Sequence, residues 1–159
     1  MEEFKIDLMV TSQSEEFRNV KTHNLEAEGF YGLIRIRIGE KSYGTYIEEI
    51  ANKLHPQDDL YYWIAALLEA LMCISETGYC AIKDIEHPDR WVEFISHGSL
   101  TEVFVIDAKG SSDLIVRKPF SDRKIVVDGG QVDKSQMLNE VLDKANTFID
   151  SVLKIEPRF

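Results

Sequence analysis

The chain is short of cysteine, of proline and of positive charge, and each shortage excludes something. Two cysteines in 159 residues, Cys73 and Cys80, are too few for a disulfide framework. Both are expected as reduced, buried thiols, because free cysteine packs like a small hydrophobe. Four prolines and nine glycines leave no proline- or glycine-rich linker, and no repeat or low-complexity segment is present. Eighteen Lys and Arg stand against 28 Asp and Glu, a formal net charge of -10. That balance disfavours a nucleic-acid binder, which needs a surplus of Lys and Arg on one face. It suits a plain soluble protein or one that captures something basic.

Catalytic motifs are also missing. No GxGxxG and no P-loop occurs, and Gly129-Gly130 lacks the following Lys-Ser/Thr. There is no HExxH and no CxxC, so no metal site is signalled. There is no Gly-x-Ser-x-Gly elbow. The four histidines, His23, His55, His87 and His97, are scattered through expected loops. Cys80 with His97 or His87 can be written as a nucleophile and base; packing of Cys80 is the alternative. The chain is therefore expected to be no enzyme, with no catalytic residue, cofactor or metal. The start, Met1-Glu2-Glu3-Phe4-Lys5, does not read as a signal peptide. The longest apolar stretch, Leu60 to Ile74, falls short of the ~20 residues that span a bilayer and contains Glu69. A cytoplasmic protein without a membrane span is expected.

What is present reads as alternating strands and two long helices. Phe4, Ile6, Leu8 and Val10 alternate with Lys5, Asp7 and Met9, a strand with one buried face. Residues 11–24 are polar and read as a loop or short helical turn. Phe30 to Ile38 and Ser42 to Ile50 form a hairpin around Gly39-Glu40-Lys41, with Gly32 and Gly44 marking bulges or close backbone approach. Asp58-Asp59 opens a helix from Leu60 to about Thr77 that stops at Gly78. It is apolar nearly all round, so it should be covered on more than one side.

Strands then return at Tyr79 to Ile85, Trp91 to Ser96 and Leu100 to Ala108. Leu114 to Lys118 and Lys124 to Val127 read as a further hairpin, and Gly129-Gly130 as a break. Asp133 with Gln136 resembles a capping box before the last helix. Leu138, Val141, Leu142, Ala145, Phe148, Ile149, Val152 and Leu153 give that helix one apolar face, expected to cover the rest. The expected fold is one α+β domain over residues 1–159. It has a mainly antiparallel sheet of about six to eight strands and two principal helices, ordered β-ββ-α-βββ-ββ-α.

Three features could carry function. Glu69 sits mid-run in an apolar helix, where it faces a solvated edge, pairs with a core-facing Arg or Tyr, or serves as a catalytic or partner-binding carboxylate. Acids cluster at Glu48, Glu49, Asp58 and Asp59, and again at Asp84, Glu86, Asp89 and Glu93 around Trp91. A Trp among acids is either a hot spot for a basic partner or an inward-packing strand residue. Arg117, Lys118, Arg123 and Lys124 would protect an edge at the second hairpin tip.

In Phe30 to Ile50, Asp58-Asp59-Leu60-Tyr61-Tyr62-Trp63 and Trp91-Val92-Glu93-Phe94, the chain resembles the small immunity proteins of bacterial polymorphic and contact-dependent toxin systems. The resemblance implies an inhibitor that occludes the active site of a cognate, basic toxin such as a nuclease. No site residue comes with it. The acidic clusters are the candidate contact residues, and the chain is expected as a monomer or homodimer. The alternative is a non-enzymatic small-ligand-binding or oligomeric accessory domain.

Overall fold

The computed structural model describes residues 1–10, 31–44 and 58–155. Within them the fold is α+β, with two antiparallel sheets and two long helices. The first sheet has β1 (Phe4–Val10), β2 (Tyr31–Ile38) and β3 (Lys41–Gly44) in that order, with the two-residue β4 (Asp58–Asp59) pairing to β2. Phe4 lies opposite Ile38 and Ile6 opposite Ile36, so the alternation puts all four on one buried face. On the other face Asp7 accepts from Arg35 at 2.8 and 2.6 Å and from Arg37 at 3.0 Å. Partial burial pushes the Asp7 carboxyl up, but the two guanidiniums outweigh it and hold it below its usual range. Gly32 is a close-approach glycine: a Cβ there would stand 2.1 Å from the Met9 carbonyl oxygen and 2.5 Å from Leu60 Cδ1. The part of the expected second strand beyond Gly44, and the expected loop at 11–24, lie outside the described residues.

Helix α1 (Leu60–Thr77) begins and ends on the residues that the sequence marks. The Asp59 carboxylate accepts from the Tyr62 N–H at 3.0 Å. Gly78 takes φ +77 and its N–H reaches the Ile74 carbonyl at 3.1 Å. Asp59→Ala is expected to cost about 1 kcal/mol and Asp59→Ser much less, read from denaturant midpoints. By length and composition α1 could cross a membrane. Here it packs against β2, the last helix and two strands of the second sheet.

The second sheet has β5 (Tyr79–Lys83), β6 (Arg90–His97), β7 (Leu100–Asp107), β8 (Ile115–Val116) and β9 (Lys124–Asp133), in the order β8-β5-β6-β7-β9. This corrects the expected hairpin at 114–127. β8 pairs with β5 and β9 with β7, so the two segments lie on opposite edges. Two apolar runs joined by a short polar stretch look like a hairpin, but each finds a longer strand to pair with. Gly129-Gly130 is no break either, since β9 runs through it. A Cβ at Gly129 would stand 2.6 Å from the Val103 carbonyl and 2.8 Å from Ile38 Cδ1. The bare backbone there lets β9 sit against β2.

Helix α2 (Lys134–Ile155) is capped by Asp133, which accepts from the Gln136 N–H at 2.8 Å. The Gln136 side chain does not close a capping box. Its amide bonds both backbone groups of Phe4, at 3.0 and 2.7 Å, and Glu140 takes the Ile6 N–H at 2.7 Å. α2 therefore supplies partners to the free edge of β1, which would otherwise invite pairing. Its apolar residues split into two stripes. Met137, Val141, Ala145, Phe148 and Val152 are buried, whereas Leu138, Leu142, Ile149 and Leu153 are exposed. The expected single inward face is therefore only half inward, because eight such positions span too wide an arc to meet one neighbour.

The main core lies between the sheets and helices. A second, smaller core fills the opposite face of the five-stranded sheet. There Tyr79, Ala81, Trp91, Ile106 and Ala108 meet Phe104, Val116 and Phe120. β5 and the middle of β6 are thus covered on both sides.

Candidate functional site

The turn between β5 and β6 carries the densest polar geometry. It projects Glu86, His87 and Asp89 into solvent. Asp84, 6% exposed, holds it in shape. One carboxylate oxygen of Asp84 accepts from the Glu86 N–H at 2.9 Å. The other receives the Tyr43 hydroxyl from β3 and lies 3.1 Å from His87 Nδ1. The backbone closes the turn with His87 N–H to Asp84 O at 3.2 Å and Arg90 N–H to His87 O at 2.9 Å. Ala108 N–H to Asp89 O at 2.9 Å ties it to the end of β7. The contact with Asp84 favours a proton on His87 Nδ1, which leaves Nε2 of the neutral ring as an acceptor.

Beside this turn is a cleft of about 440 Å³. It is lined by residues 87–90 of the turn, by Asp107, Ala108 and Lys109, and by Asp122 and Lys124. Arg90 and Asp107 face each other across β6 and β7 and bond at 2.8 and 3.3 Å. The Arg90 fork holds the Asp107 carboxyl below its usual range. Asp122 accepts the Lys109 N–H at 3.0 Å. Three carboxylates thus share the cleft with Arg90 and two lysines, so it offers both signs of charge. None of its lining residues has a hydroxyl or thiol. Charged groups are available there, and the lining supplies no serine or cysteine nucleophile.

The predicted acidic patches divide. Glu86 and Asp89 are exposed on the turn. Asp84 is buried and structural. Trp91 is 1% exposed: its indole N–H donates to the Ala108 carbonyl at 3.1 Å, its ring meets Phe120 at 4.8 Å, and Lys83 stands over it at 5.2 Å. The hot-spot reading of Trp91 is therefore corrected, because the ring faces the second core. Glu93 is corrected too. It is fully buried, and it takes Arg123 at 2.5 to 3.1 Å and the Tyr79 hydroxyl at 2.9 Å. Asp59 is the helix cap, and Asp58 belongs to β4. Glu48, Glu49, His23 and His55 lie outside the described residues.

The remaining candidates are also placed. Glu69 is half exposed, so the solvated-edge reading holds; it meets Arg117 at 3.2 Å, but that partner is itself half exposed and not core-facing. Arg117 also reaches Glu76 at 3.7 Å, while Arg123 goes to Glu93 and Lys124 to the cleft. The expected edge-protecting patch is thereby dispersed. Cys80 is buried in the core, as is Cys73, and burial pushes its thiol up. His97 pairs with Glu102 at 2.9 Å, His87 lies 3.1 Å from Asp84 and Cys80 is fully buried, so neither expected Cys80–His pair is formed. Among the described residues no group of three or more His, Cys, Asp or Glu is placed to hold a metal.

Sequence reasoning missed Arg90, Asp107, Lys109 and Asp122 as one constellation. The usable signal was the register of β6 and β7, which sets Arg90 opposite Asp107 at the open strand ends. Compared with known proteins, the chain matches no protein-family model, no curated protein and no solved structure.

Proposed function

We propose that the protein is a binding protein that neutralises a basic partner protein, in the manner of an immunity protein, through the β5–β6 turn and the adjoining cleft. One observation carries the reading: the turn is already locked by Asp84, Tyr43 and its own backbone while Glu86 and Asp89 stay in solvent. A contact loop fixed beforehand loses little conformational freedom on binding. The net charge of -10 would steer a cationic partner toward the surface and speed encounter. The carboxylates of the cleft suit an incoming Lys or Arg, and its own lysines and Arg90 suit an acid at the rim.

The test starts with affinity capture of the full chain from its native cell and identification of a stoichiometric partner. Glu86→Lys with Asp89→Lys is then expected to slow association about tenfold at low salt, with a smaller effect at high salt. Both positions leave the Asp84 bonds untouched. Asp84→Lys would be a poor probe, since it would unlock the turn. Association unchanged at low salt would remove this surface from the reading.

The cleft favours a second reading, a small-ligand-binding domain whose ligand displays both an anionic and a cationic group. Capture of no protein partner would shift the weight to it.

A further inference from the structure

We propose that the outer stripe of α2 is a self-complementary interface, through which two copies of this chain pair with their α2 helices antiparallel. The stripe is Leu138, Leu142, Ile149 and Leu153, at 40, 44, 46 and 38% exposure. At 3.6 residues per turn these four fall within about 60° of arc, a single line along the helix. They expose about 300 Å² of apolar surface together, within the size of the largest patch on a typical monomer, which is often functional.

The spacing identifies the occupant. From Leu138 the steps are four, seven and four residues, so the pattern reads the same from either end. Its centre falls between Ala145 and Asn146. A two-fold axis there sets Leu138 of one copy against Leu153 of the other and Leu142 against Ile149. Every knob then meets an apolar counterpart, as an isologous contact requires. An unrelated helix would have no reason to match a palindrome. Asp143 and Asp150 lie about 100° round the helix from the centre of the stripe, clear of the contact. Asn146 is exposed beside the axis, where its amide and that of its mate can bond to each other. The doubled stripe gives about 600 Å² of apolar contact in two halves that flank the Asn146 pair, which with a polar rim lies at the weak, reversible end of interface sizes.

Two experiments on the full chain test this. Sedimentation at up to about 100 μM is expected to show a species at twice the 18.3 kDa chain mass that dissociates on dilution. Leu142→Asp with Ile149→Asp is expected to leave only the single-chain mass, with an unchanged circular dichroism spectrum. Crosslinking keeps the proposal open to refutation if that variant misfolds. Cys73 and Cys80 are buried, so introduced thiols report alone. Asn146→Cys should couple to itself through a short bismaleimide. Leu138→Cys should couple only when mixed with Leu153→Cys. A single-chain mass at all concentrations, a dimer indifferent to the Asp pair, or self-coupling of Leu138→Cys would each overturn the proposal.

Discussion

Trp91→Ala is expected to lower the unfolding free energy by about 4 kcal/mol, the middle of the range for a fully buried aromatic. The indole fills the second core between the five-stranded sheet and residues 109–123. Three contacts depend on it: the Phe120 ring, the ammonium of Lys83 and the bond to the Ala108 carbonyl. Alanine removes all three and leaves a void under Phe120. Trp91→Phe should cost less, since it keeps most of the packing and loses the N–H. Denaturant titration gives the stability change, and hydrogen exchange over 109–123 shows where the loosening falls. A surface residue would change stability by no more than about 0.5 kcal/mol, so a small effect would return Trp91 to the contact residues.

The same residue shows how far a sequence can be read. Val92 and Phe94 in β6 alternate with Trp91 and Glu93, and period two says only that the pairs face opposite ways. Which face is dry depends on what covers it. The cover is the loop-rich stretch 109–123, which has no periodicity to announce that it packs. An acid-flanked Trp therefore left both readings open, and the structure bears out the inward-packing one. The strands, α1 with its Asp59 and Gly78 ends, and the start of α2 were legible because their causes are local. The pairing of β8 with β5, and of β9 with β7, was not. Edge choice is decided by distant neighbours, and turn residues carry no record of it. The site follows the same division. Glu86 and Asp89 were recognisable as exposed acids. The locking of their turn by Tyr43, 41 residues before Asp84, was not.

Arg123→Met should cost about 3 kcal/mol, because it strands a charge where water cannot reach it. Glu93 is fully buried and Arg123 is 30% exposed, so the carboxylate depends on the guanidinium far more than the reverse. Arg123 donates from Nε and Nη2 in a fork and lies 5.0 Å over the Phe104 ring, a placement that lysine could not reproduce. The Tyr79 hydroxyl supplies Glu93 with one more donor but no charge. Neutralising the acid separates the two costs. Glu93→Gln in the Arg123→Met background removes the stranded charge and keeps an acceptor for Tyr79. It is expected to recover at least half of the loss, although Glu93→Gln alone destabilises the wild type. Denaturant midpoints of the wild type, both single variants and the double variant close the cycle. Additive losses would mean that water already reaches Glu93 and that the pair holds residues 109–123 over the sheet by packing alone.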